Sequence, residues 1–215
     1  SLLYNCTFDV GDDAVCIKSG KNESGRKRGI PTENVVIKNV VVYHGHGGVT
    51  VGSEMSGGVK NMHVSNCTFI GTDVGLRFKS NRGRGGVVEK IYISDILMKD
   101  IPTNAISFNL YYGGLSVSEM LEKGSEDKTK SKIPEVTEET PQFKDISIKN
   151  VTVNGAYQAI YLQGLPEMNL ENVLLENITM EAKNGLLCMD ANGININNLV
   201  LKTSSFPALS FVNAK

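Results

Sequence analysis

Three side chains able to carry or hold protons recur at one position of a repeating pattern. Asp12, His46 and Asp73 each stand seven residues after an Asn (Asn5, Asn39, Asn66) that follows an aliphatic residue by two. Asp13 follows Asp12 in the turn Gly11-Asp12-Asp13, so two carboxyl groups are adjacent. Arg77 and Lys79 lie eleven and thirteen residues after Asn66, and Lys18 has the offset of Lys79 two units earlier. Glycoside hydrolysis needs such a carboxyl pair, one protonated to donate to the leaving oxygen and one ionised to activate water or attack. Neighbouring like charges push one pKa up and help keep a proton on the acid. Cations beside the pair suit a uronate carboxylate, which Arg can hold in bidentate fashion. The set therefore points to acid–base hydrolysis of a glycosidic bond in an anionic sugar.

Taken singly, each fragment is ordinary. Asp-Asp after Gly commonly marks a turn, His between glycines a loop, and Arg-x-Lys a solvated strand face. Their shared position gives them weight, and that position depends on the scaffold.

The repeat has seven members: Asn5, Asn39, Asn66, Asp95, Asn150, Asn177 and Asn198, spaced by 34, 27, 29, 55, 27 and 21 residues. Apolar residues follow one and three positions later, as in Cys6/Phe8, Val40/Val42 and Ile178/Met180. Alternation of period two marks strands with one buried face. The phase jumps by one at each Asn, so the chain must bend there. Asn tolerates the left-handed backbone region and bonds local backbone, which suits that bend. A second apolar pair falls ten and twelve residues on: Val15/Ile17, Val49/Val51, Leu76/Phe78, Ile160/Leu162 and Leu187/Met189. The fourth unit is one residue longer (Ile106/Phe108), and the seventh is out of phase. Strand units of this period read as a solenoid in which each coil buries its face on the next. The expected fold is an all-β parallel β-helix of about seven coils stacked about 4.8 Å apart. A leucine-rich horseshoe would need a leucine ladder that this chain lacks.

The chain has 215 residues, 40% hydrophobic, with 22 Gly, no Trp and a formal charge of −1. It reads as one elongated domain, residues 1–215, and near-neutral charge gives no support to nucleic acid as a partner. No apolar stretch reaches membrane-spanning length, so no membrane is expected. Ser1 opens directly on a strand, and an uncapped first coil would expose its edge. The expectation is a domain truncated at its N-terminus.

Disulfides are not expected. Cys6 and Cys67 share an inward position two coils apart, roughly 9.6 Å and beyond disulfide reach. Cys16 and Cys188 are predicted to face outward, five coils apart. The Asn-x-Thr sequences at the repeat Asn positions read as turns rather than glycosylation sites. Two inserts interrupt the coils: the basic, Gly-rich 18–33 and the charged loop 112–142, within which Val117 to Lys123 has the makings of one or two helical turns. Inserts of this length are commonly active-site lids or solvated loops.

Together, Gly11-Asp12-Asp13 with Lys18-Ser19-Gly20, Gly45-His46-Gly47 and Arg77-Phe78-Lys79 resemble the signature motifs, in order and approximate spacing, of the polygalacturonase family of glycoside hydrolases. The resemblance covers nearly the whole chain and implies a single-stranded right-handed parallel β-helix that cleaves pectin. It implies Asp12 as general acid, Asp13 as one of the bases activating water, and His46 as the group tuning the acid's proton. Arg77 and Lys79 would bind the substrate carboxylate, with Lys18 extending the positive strip. The family also uses a tyrosine roughly one coil after Arg-x-Lys; Tyr111 or Tyr112 falls there, and Tyr111 is preferred. Its first motif, Asn-Thr-Asp, belongs about twenty residues before the Asp pair, upstream of Ser1. The implied reaction inverts the anomeric carbon and needs no metal or cofactor. The implied partner is a galacturonate-containing polysaccharide or oligosaccharide, met by a monomer that is secreted or periplasmic.

Two other readings stay open on the residues alone. One is a catalytically silent β-helix that binds polysaccharide, as tailspikes and adhesins do. The other is a pectate-lyase-like enzyme, which would need a calcium-binding acidic cluster, for which His46 and two cations are poor neighbours.

Overall fold

The computed structural model describes residues 1–112 and 133–215. The expected helical stretch Val117 to Lys123 lies outside the described residues. The strands are β1 (Leu2–Asp9), β2 (Val15–Ile17), β3 (Thr32–Tyr43), β4 (Gly47–Gly52), β5 (Val59–Ile70), β6 (Val74–Lys79), β7 (Val87–Asn109), β8 (Gln142–Gln163), β9 (Leu170–Ala182), β10 (Asn184–Thr203) and β11 (Leu209–Ala214). All pairings are parallel, β1-β3-β5-β7-β8-β9-β10-β11 along one path and β2-β4-β6-β7 along another. The fold is a right-handed parallel β-helix. Long strands such as β7 and β8 serve both paths, because they run through the corner without interruption. β10 does so with an offset, its first half pairing β8 and its second half β9. Seven coils result.

The corners explain the repeat. Asn5, Asn39, Asn66, Asp95, Asn150, Asn177 and Asn198 all have φ between 53° and 57°. Their amides form a ladder: Asn39 donates to Asn5 at 3.0 Å, Asn66 to Asn39 at 2.6 Å, Asn150 to Asp95 at 2.9 Å, Asn177 to Asn150 at 3.2 Å and Asn198 to Asn177 at 2.9 Å. Asp95 has no amide to donate, so the ladder pauses between it and Asn66. A second left-handed corner lies five residues earlier in the second to seventh coils, at Asn34, Asn61, Lys90, Asp145, Asn172 and Gly193. Periodicity alone did not reveal it, because its residue types vary.

Inward residues stack in register from coil to coil: Ile37 on Val64, Ile93, Ile148 and Leu175, and Ile17 on Val51, Phe78, Phe108 and Leu162. The Phe78 and Phe108 rings lie parallel with centres 4.4 Å apart, and both are fully buried. Truncating either to Ala would cost about 3–5 kcal/mol. The fourth coil takes up its extra residue as a register shift between Ile101 and Asn104.

Two expectations are corrected here. In the sixth coil the inward pair is Leu186 and Cys188, which pair with Ile160 and Leu162. The turn after Asn177 is one residue shorter than the common offset, so Leu187 and Met189 face outward and Cys188 is buried rather than exposed. The basic insert, read from sequence as a loop, carries a helix, α1 (Asn22–Arg28), closed by Gly29 at φ 61°. All four cysteines are free.

Candidate active site

The turns that carry the column are joined by backbone hydrogen bonds. His46 N–H donates to Asp12 O at 3.1 Å, Asp73 N–H to Gly45 O at 2.9 Å and Thr103 N–H to Asp73 O at 3.1 Å. Asp12, His46 and Asp73 thus stand on successive coils, as their common offset requires. The two glycines around His46 are needed there. Gly45 has φ 83°, and a Cβ at Gly47 would stand 2.7 Å from Asp13 Oδ1.

Asp13 is the electrostatic centre. Arg77 Nη1 donates to its Oδ1 at 2.9 Å and Lys79 Nζ to its Oδ2 at 2.7 Å. The Asp13 side chain is 6% exposed and that of Lys79 9%. Burial pushes the Asp13 carboxyl up, but the Lys79 hydrogen bond and the charges of Lys79 and Arg77 outweigh it and hold the group below the usual carboxylate value. Asp12 is exposed beside it, its Oδ1 accepting the Asp13 N–H at 2.7 Å. The His46 imidazole is held by Asp73, with Nδ1 2.5 Å from Asp73 Oδ2. Asp73 was in the column but not in the expected catalytic set; its identical offset was the signal.

A pocket of about 410 Å³ opens beside this pair, lined by Asp12, Asp13, Lys18, Lys79 and Tyr112, with Cys16, Ser53, Glu54 and Arg84. Of the residues expected at the site, Asp12, Asp13, Lys18 and Lys79 line it. Arg77 and His46 adjoin it through Asp13 and the Asp12 turn. The cations expected to face substrate are already engaged: Arg77 and Lys79 with Asp13, Lys18 with Glu54 and with Gly52 O at 3.2 Å. In so dense a strip each carboxylate recruits the nearest cation, since a buried unpaired charge is costly.

Of the two tyrosines offered by the sequence, Tyr112 lines the pocket and the preferred Tyr111 is buried beside it. The turn after β7 folds back through Tyr112 N–H to Ser80 O at 3.0 Å. That leaves Tyr111 buried under Arg82, whose Cζ lies 5.0 Å from its ring centre. Tyr112 covers the cations, with Lys79 Nζ 4.9 Å and Arg77 Cζ 5.8 Å from its ring centre. No sequence signal separates adjacent tyrosines in the turn beyond β7. A comparable groove of about 460 Å³ at Gly155, Glu181 and Lys183 lies on the late coils, away from the column. Among the described residues, no group of three or more His, Cys, Asp or Glu side chains is placed to hold a metal ion.

Residues 2–120 match the model of glycosyl hydrolases family 28. The chain belongs to that family. It is 28% identical over 214 residues to an exo-poly-alpha-D-galacturonosidase of Dickeya chrysanthemi, covering 96% of this chain and 33% of that protein. It is 27% identical over 198 residues to a probable polygalacturonase of Vitis vinifera, covering 89% of this chain and 37% of that protein. Among solved structures, a hyperthermoactive exopolygalacturonase from Thermotoga maritima superimposes with a TM-score of 0.77 at 28% identity, over 96% of this chain and 42% of that one. This family 28 chain therefore spans about a third of the length of the relatives it matches.

Proposed function

We propose that this family 28 chain forms the catalytic β-helix of a polygalacturonase-type glycosidase, hydrolysing α-1,4-galacturonosyl linkages of pectin or oligogalacturonides with inversion. The observation that carries the proposal is the pairing of an exposed carboxyl, Asp12, with an adjacent carboxylate, Asp13, kept ionised by Lys79 and Arg77 at the wall of a pocket. Asp12 donates the proton to the leaving oxygen. Asp13 stays anionic and helps to orient the water, each of its oxygens keeping a second lone pair beyond the cation it accepts from. His46, held by Asp73, adjusts the proton on Asp12. Lys79, Arg77 and Lys18 supply the positive field, and the Tyr112 ring gives a sugar an apolar face beside it. Family membership favours this over the silent polysaccharide-binding and lyase readings. The partner is a galacturonate-bearing saccharide met by a monomer outside the cytoplasm, secreted or periplasmic.

The test is Asp12→Asn in the polypeptide encoded by the complete reading frame. Release of reducing ends from polygalacturonate should fall almost to zero while the ligand still binds, since the shape remains and the proton donor is gone. Retention of more than about a tenth of wild-type turnover would show that Asp12 is not the acid.

A further inference from the structure

The cations of the pocket are not equally neutralised. Lys79 and Arg77 share Asp13 at 2.7 and 2.9 Å, and Lys18 is in close contact with Glu54. Lys18, through its hydrogen bond, is the main cause that holds the Glu54 carboxyl below its usual value. Arg84 stands apart. Among the described residues its nearest carboxylate contact is Glu54 Oε1 at 3.9 Å, its Nη2 reaches Ser53 Oγ only at 3.5 Å, and its buried Nε has no hydrogen-bond partner. Nη1 donates to the neutral Asn22 Oδ1 at the start of α1. Yet the Arg84 side chain is 14% exposed and lines the pocket.

This guanidinium is far removed from water, and the one carboxylate beside it, Glu54, is held closer by Lys18, so its Nη2 is weakly used at the pocket. Its place is maintained by the inserts. Arg26 of α1 donates to Gly83 O at 2.8 Å and Arg84 O at 3.3 Å, while Gly83 and Gly85 N–H groups donate to Glu139 O at 3.0 and 2.9 Å. The loop between β6 and β7 is thus clamped between the helix of the first insert and the end of the second. The clamp presents Arg84 across the pocket that Asp12 and Asp13 line.

We infer that Arg84 is a specificity-determining residue, binding the carboxylate of a galacturonosyl unit on the pocket wall that the loop between β6 and β7 supplies, distinct from the Asp13-bound cations. This rests on the hydrolase reading above. The carboxylate would accept from Nη2, whose own contacts to Ser53 and Glu54 are long, while Nη1 stays with Asn22. Glu54, held closer by Lys18, lies 3.9 Å from Nη2, too far for a hydrogen bond to it.

The experiment compares Arg84→Gln and Arg84→Lys with the wild-type polypeptide of the complete reading frame. Binding of trigalacturonate and of its methyl ester is measured by calorimetry, and turnover on polygalacturonate is measured alongside. Arg84→Gln should weaken trigalacturonate by about tenfold or more, equivalent to about 1.4 kcal/mol, and change the methyl ester much less. Arg84→Lys should recover part of the loss, and Lys27→Gln on the solvent side of α1 should have no effect. A melting curve of each variant separates loss of the ligand contact from loss of the loop. Equal weakening of acid and ester by Arg84→Gln, or no recovery with Lys, would overturn the assignment of Arg84 while leaving the hydrolase reading standing. A wild-type protein that neither binds nor cleaves galacturonan would remove the hydrolase reading, and this assignment with it.

Discussion

His46 Nδ1 lies 2.5 Å from Asp73 Oδ2, linking two side chains that occupy the same position in successive coils. The contact fixes which ring nitrogen Asp73 holds. Nδ1 is committed to Asp73, leaving Nε2 as the nitrogen available for other work.

A double-mutant cycle tests whether Asp73 acts through that ring. His46→Ala should lower turnover on the order of a hundredfold or more, and Asp73→Asn by less. The double variant should be no slower than His46→Ala alone, because the carboxylate has nothing left to orient. Losses that multiply would mean the two residues act independently.

Asp13 makes stability depend on acid. Its folded pKa lies below the reference value of 3.8, so the unfolded chain takes up a proton at higher pH than the folded one. The stabilisation is therefore fully present above that reference value and is lost as pH falls through the folded value. Lys79→Met should destabilise by about 3–5 kcal/mol near neutral pH, since it strips one partner from a buried pair. The melting-temperature gap from wild type should narrow as pH is lowered from neutral to below the reference value of 3.8, into the range where wild-type Asp13 itself takes up a proton. A gap constant over that range would contradict the assigned pair.

The corner residues carry a backbone prediction. Asn150 has φ 54°, accepts from Asn177 at 3.2 Å and donates to Asp95 at 2.9 Å. Asn150→Ala should cost about 2 kcal/mol, combining a strained left-handed residue with lost ladder bonds. Asn150→Gly should cost about half as much, because glycine restores the conformation but not the ladder. Denaturant midpoints compare the two directly, and equal losses would mean the backbone at this corner is not under constraint.

Much of the scaffold was legible in the chain. Alternation at Ile37, Val40 and Val42 set the inward face, and the phase jump at each Asn set the corner, since both depend on residues within a few positions of one another. Constant offset then placed Asp12, His46 and Asp73 on neighbouring coils without further information. The exceptions are instructive. Cys188 turned inward because a single residue is missing from one turn, and with period two that reverses every side chain beyond it. The helix α1 escaped notice because seven residues between glycines carry no apolar stripe, its place being secured by Gly25 against Gly20 and Ser56.

By itself, the sequence determined the β-helix, its seven coils and the column of proton-carrying residues, because stacking in register repeats a local pattern from coil to coil. Only the tertiary structure decided which charges neutralise one another. Asp13 takes Lys79 and Arg77, Lys18 takes Glu54, Tyr112 rather than Tyr111 covers the cations, and Arg84 is left facing the pocket. Those outcomes depend on loops that obey no period and on side chains up to 66 residues apart in sequence, competing for the same few ångströms of partly desolvated space.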